Sequence, residues 1–106
     1  MSKVIDITSR LTNERPRIKI SEDFELEVNV SKNNVIKMQT IMNDDKSEIE
    51  LIDEALKVLI GKHAYDKLNK MDLTVADYKT VFIAVMACIN NESFEDADKR
   101  FRNETK

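Results

Sequence analysis

The chain has 106 residues, enough for one domain, and its 42% hydrophobic content can fill a core. A single Gly and a single Pro disfavour an all-β fold with many tight turns. The net charge of −3 excludes the concentrated basic face of a nucleic-acid binder, and 35% charged residues keep the surface well solvated.

The charge is uneven. Residues 1–20 carry five basic and two acidic side chains, a net +3. Residues 21–60 carry four basic and ten acidic ones, a net −6, and residues 61–106 balance at eight each. A basic arm on an acidic body lets the arm of one copy lie on the body of another, although ordinary surface charge accounts for the same distribution. The lone cysteine, Cys88, lies inside an apolar run, where cysteine acts as a small buried hydrophobe, and it has no partner for an internal disulfide. Residues 1–8 lack the apolar stretch of a signal peptide. The longest apolar run, Val81–Ile89, is about half of what a membrane span needs, so a cytoplasmic protein without membrane association is expected.

Residues 1–15 alternate briefly through Val4, Ile5 and Ile7, turn polar, and read as a flexible arm. Arg17–Ile20 then alternates, Ser21–Asp23 breaks the pattern, and Phe24–Val30 alternates strictly with Phe24, Leu26, Val28 and Val30 on one face. Period two with β-branched and aromatic residues predicts a β-hairpin with a loop of about three residues. Its outer face sets Arg17 and Lys19 against Glu25 and Glu27 as candidate cross-strand pairs.

Ser31 caps a helix over 32–43 with Val35, Ile36, Met38, Ile41 and Met42 as its apolar stripe. Asn43–Lys46 is a polar loop. Ser47 and Glu50 form a capping box that starts a helix running to Ile60, and Gly61 ends it. On a helical wheel Glu50, Asp53, Glu54 and Lys57 fill an arc of about 100°, and apolar residues fill about 200°. A core-facing stripe needs roughly 100°, so this helix has two neighbours, or one neighbour and a partner. Ile49, Leu51, Ala55 and Val58 are therefore candidate protein-binding residues.

Residues 62–71 predict a short helix with Ala64, Tyr65, Leu68 and Met71 inward. Thr74 caps the next helix, with Asp77 placed to favour its dipole. Val75, Tyr78, Phe82, Val85, Met86 and Ile89 share one face, while Ile83 and Ala87 fall nearly opposite, so its second half needs cover on most sides. Asn90–Glu92 breaks it. Ser93 caps a last helix with Phe94, Ala97 and Phe101 on one face, and 103–106 should fray. The expected architecture is α+β: a single domain over 16–102 with an N-terminal β-hairpin packed on a bundle of four to five short α-helices.

Catalytic patterns are nearly absent. His63 is the only histidine, sits beside Lys62 and Asp66 on a charged face, and has no second histidine or cysteine partner with which to build a zinc site. One glycine leaves no phosphate-cradling loop. Asn43–Ser47 resembles a calcium loop only faintly, because glycine is missing at the sixth position and the oxygen ligands do not line up. Asp53 and Glu54 point about 100° apart on a helix and form no dyad. A solvated face is the plain reading of these carboxylates. No enzyme, cofactor or metal is expected; surplus apolar helix surface suggests a protein-binding role.

One resemblance covers residues 16–102. It rests on the strand Pro16–Ile20, the helix start Lys32–Lys37 and the run Ile52–Gly61, followed by Leu68–Tyr78, Val81–Ala87 and the closing Phe94–Phe101. In this order the elements resemble the small tail assembly chaperones of long-tailed phages and prophages of Gram-positive bacteria. The resemblance implies a non-enzymatic protein that acts in the host cytoplasm and is absent from the finished virion. It would coat the tape measure protein, keep it soluble and help recruit major tail protein, as a homo-oligomer in which weak contacts repeat along one ligand. Family members are often also made as a longer frameshifted product. The residues leave open a second class, a small phage or bacterial regulatory or adaptor protein that binds one folded target.

Overall fold

The computed structural model describes residues 3–12 and 14–104. Expectations on Met1, Ser2, Asn13, Thr105 and Lys106 lie outside the described residues. The chain is an α+β domain in which a two-stranded antiparallel hairpin packs on four helices. Strand β1 spans Arg17–Ser21 and β2 spans Phe24–Glu27. Helices α1, α2, α3 and α4 span Lys32–Met42, Glu48–Lys70, Val75–Asn90 and Phe94–Glu104. Before the hairpin, the arm makes one 3₁₀ turn at Thr8–Arg10, where the Asp6 carboxylate accepts from the Thr8 amide at 3.0 Å and the Thr8 hydroxyl at 2.7 Å. Those two bonds, the amide first, hold the Asp6 carboxyl below its ordinary pKa.

The alternation in the sequence sets the hairpin. Phe24, Leu26 and Val28 are buried, while Glu25 and Glu27 stay exposed, so the strand puts one face on the helices and the other in water. Arg17 pairs with Glu27, Ile18 with Leu26 and Lys19 with Glu25. The register slips between Lys19 and Ser21, so that Ser21 faces Phe24 and the loop shortens to Glu22–Asp23. The recorded ion pairs differ from the directly opposed ones. Arg15, diagonal to Glu27, binds it at 3.3 Å, and Lys19 turns into the loop to meet Glu22 at 3.3 Å. Both pairs are exposed and worth at most about 1 kcal/mol.

All four helices start on a hydroxyl. Ser31, Ser47, Thr74 and Ser93 accept from the amides of Asn34, Glu50, Asp77 and Asp96 at 3.1–3.3 Å. Each removes one of the amide donors that a helix N-terminus leaves unsatisfied. α3 ends on Asn91, which takes the left-handed conformation at φ 53°, a region Asn tolerates better than most residues. α4 continues as helix to Glu104, past the point where fraying was expected.

The helix expected to stop at Gly61 and the short helix expected from Lys62 meet there, and the single non-helical residue between them makes a kink inside α2. Gly61 sits at φ 85°, ψ 158°, and helix resumes at once to Lys70. A kink of this kind strips the preceding carbonyls of their intrahelical amides. Two of them are taken up elsewhere: the Leu59 carbonyl accepts from the Asn29 amide at 2.8 Å, and the Val58 carbonyl from the Asn34 side chain at 3.1 Å. The kink thereby ties the end of β2 and the start of α1 to the middle of α2. The second half of α2 turns back over the hairpin, where the Lys67 ammonium lies 4.6 Å from the centroid of the Phe24 ring.

The main core joins Phe24, Leu26 and Val28 to Ile52, Leu56, Leu59, Tyr65 and Leu68 of α2 and to Val81, Phe82 and Val85 of α3. The far side of α3 has its own cover. Ile83 and Ala87 are buried against Ala97 of α4, with Phe94 and Phe101 beside them. The Phe101 ring meets Phe82 edge-on, with centroids 6.2 Å apart. α3 is thus the buried axis of the domain, and its all-round apolar half is explained by helices on both sides.

Candidate functional site

The wide apolar arc of residues 47–60 leaves little surface for a partner. Ile52, Ala55, Leu56 and Leu59 are fully buried, and Ile49, Leu51 and Val58 are half-buried. Ala55 is therefore a core residue of the folded chain, enclosed by its own neighbours. The second neighbour that the arc demanded is α1, which packs along α2 and buries Met38. Its stripe is incomplete on the outside, where Ile36 is exposed.

The opposite face of this helix also departs from expectation. Asp53, assigned to a solvated face, is half-buried and accepts a short hydrogen bond from the Tyr78 hydroxyl of α3. Burial, and then the bond to Asp53, push the Tyr78 phenol well above its ordinary pKa. Tyr65, whose pKa is also raised mainly by burial, lies beside the pair, with the Lys57 ammonium 5.1 Å from its ring centroid. Lys79 reaches Glu48 at 3.0 Å across the same α2–α3 joint. The joint is a polar brace. It holds no nucleophile activated by a base, and phenols raised in this way are poor proton donors near neutral pH. Among the described residues no group of three or more His, Cys, Asp or Glu side chains is arranged to hold a metal, and His63 is exposed. Nor, among the described residues, is any helix long and apolar enough to cross a membrane.

The accessible apolar surface lies elsewhere, between β1 and α3. Among the described residues β1 pairs only with β2, and its other edge borders a groove. The groove consists of two adjoining depressions of about 300 and 400 Å³ that share Ile18 and Ala84. Ile20, Leu73 and Val81 line one end. Pro16, Cys88 and Phe94 line the other. Short side chains on α3, Thr80 and Ala84, leave the gap that a larger residue would close. Met71, 40% exposed, stands at the first end. Met71 had been expected to point inward, but the turn through Asp72, at φ 50°, leaves it outside. Asp77 at this end makes none of the ion pairs found among the described residues, and Lys19 lines the same depression.

No pattern in the sequence alone points directly to this groove. Its nearest signal was the run of small residues on α3 facing the hairpin, whose meaning depends on which element packs there. Comparison with protein-family models, with curated proteins and with solved structures returned no match.

Proposed function

We propose that the chain is a non-enzymatic tail assembly chaperone of the host cytoplasm that shields apolar helical segments of a tape measure protein and promotes tail tube assembly. The observation that carries the reading is the apolar groove between β1 and α3, with Met71 exposed at one end. A groove of this shape accepts the apolar face of an amphipathic helix. The order of hairpin and helices supports the same reading, through the resemblance described above. The binding surface is placed here and not on α2, because Ala55 is enclosed and Ile49, Leu51 and Val58 are half-buried in the domain.

In this mechanism several copies bind along one long ligand. Each contact is weak, and the linked contacts together give avidity, so copies leave one at a time as major tail protein polymerises. The acidic body keeps the coated ligand soluble.

The test is co-expression with the tape measure protein and recovery of the soluble complex. The wild type should hold it in solution with several copies per ligand. Met71→Glu and Ala84→Glu should release it to the pellet while their circular dichroism stays native. Undiminished recovery by both variants would refute the groove, and a ratio of one copy per folded target would favour the regulatory or adaptor class.

A further inference from the structure

Outside the groove, the exposed apolar side chains concentrate on the arm. Among the described residues, the large hydrophobics left exposed are Val4, Ile5, Ile7 and Leu11 on the arm, then Ile36, Met71 and Val75 on the body. Val4 is 87% exposed, and none of the four arm residues joins either core cluster. An arm that is only a solvated tail has no use for four such residues within eight positions.

The arm carries both signs, Lys3, Arg10 and Arg15 against Asp6 and Glu14, and so does the groove lining, Arg17 and Lys19 beside Asp77 and Glu92. The match between arm and groove is therefore an apolar one.

The arm does not reach the groove of its own body. The Pro16 carbonyl accepts from the Val28 amide at 2.9 Å, and Arg15 binds Glu27, so the chain ahead of β1 continues in line with the strand alongside β2. To lie along β1 it would have to reverse at these two anchored residues. The longest dimension of the molecule is 60 Å against 33 and 25 Å for the others, and its radius of gyration is 15.9 Å. A compact domain of this length has a radius near ~13 Å.

We infer that the arm of one copy seats in the β1/α3 groove of a second copy, adding a strand to the free edge of β1 and placing Ile5 and Ile7, two positions apart, on its apolar lining. The same patch on each partner gives and receives an arm, so the exchange closes as a two-fold dimer or propagates as a chain. The inference rests on the proposed function only in taking the groove as a binding surface. If both hold, a groove filled by an arm is closed to the tape measure protein, and the ligand displaces the arm.

The native Cys88 lines the groove and serves as the probe. Val4→Cys and Leu11→Cys place a second thiol at either end of the exposed arm of the full chain. A short bismaleimide should then shift one or both variants from 12.3 kDa to the dimer mass or a ladder of multiples on a denaturing gel. Removing Cys88 as Cys88→Ser should abolish the shift. Which of the two variants responds gives the direction of the added strand. In sedimentation, the full chain should associate and Ile5→Asp/Ile7→Asp should be monomeric. A cross-link that stays within one chain, one that survives Cys88→Ser, or no cross-link in either variant would overturn the inference. Failure of tape measure capture with the intermolecular cross-link intact would sink the chaperone reading alone.

Discussion

Replacing Gly61 by Ala tests the kink directly. Gly61 occupies φ 85°, ψ 158°, a region that side-chain-bearing residues almost never adopt, at a cost on the order of 1–3 kcal/mol. A Cβ added there meets nothing within 4 Å, so the cost is purely conformational and no clash contributes. Ala also restricts the unfolded chain, which returns about 0.4–1 kcal/mol. The alternative is that Ala straightens α2. That would recover about 1 kcal/mol of helix preference. It would also break the hydrogen bonds from Asn29 to Leu59 and from Asn34 to Val58, at about 0.5–1.5 kcal/mol each, and lift Tyr65 and Leu68 off the core. The expected net loss is about 1–2 kcal/mol. Urea unfolding followed by far-ultraviolet circular dichroism reads it, with Tm falling by about 4–8 °C per kcal/mol in a domain of this size. D-alanine at position 61, introduced by chemical synthesis, favours positive φ and should be at least as stable as the wild type. Gly61→Ala stability equal to or above the wild type would refute the reasoning, because the kink would then be a weak preference of the backbone and not the join between hairpin, α1 and α2.

Three further outcomes follow from the packing and the joint. Phe82→Ala should cost about 3–5 kcal/mol, since Phe82 is buried in the main core and edges Phe101, and this is a large share of the stability of a small domain; a variant with wild-type urea midpoint would contradict its axial placement. Ser93→Ala should cost about 1 kcal/mol by losing the cap on the Asp96 amide, and amide exchange should rise first at the start of α4. For Tyr78, burial and the bond to Asp53 raise the folded pKa above the ordinary 10.0, so the phenol ionises in the unfolded chain first. Its contribution is complete below pH 10 and is lost as pH rises beyond it. The wild type should therefore lose stability more steeply above pH 10 than Tyr78→Phe, as measured by thermal melts across that range; parallel slopes would count against the buried phenol.

The local signals were legible because they are chemical and short in range. Each of the four capping hydroxyls precedes its helix in the sequence, and the strict alternation of Phe24–Val28 left one hairpin face to bury. What the sequence left open depends on which elements become neighbours. The apolar arc of α2 is wide whether α1 or another protein lies beside it, and only the fold shows that α1 packs along this helix. Asp53 and Tyr78 lie 25 positions apart, so nothing local distinguishes Asp53 from the solvated carboxylates beside it. The groove arises where small residues of α3 face a strand edge, and the sequence shows the small residues without the strand. At Gly61 the positive-φ residue was evident. The helix after it was evident too; what needed the fold was that Asn29 and Asn34 satisfy the freed carbonyls.

The Tyr78–Asp53 contact has a spectroscopic consequence. The chain contains no Trp and two Tyr, and both tyrosines sit at the α2–α3 joint. All tyrosine fluorescence of the protein therefore arises from one place. A phenol hydrogen-bonded to a carboxylate hands over its proton in the excited state, so emission from folded Tyr78 is quenched. When α3 swings from α2 the emission brightens, even if the hairpin and α4 remain folded. Comparing fluorescence with circular dichroism along an unfolding curve thus separates opening of this joint from loss of helix, with no dye or label attached.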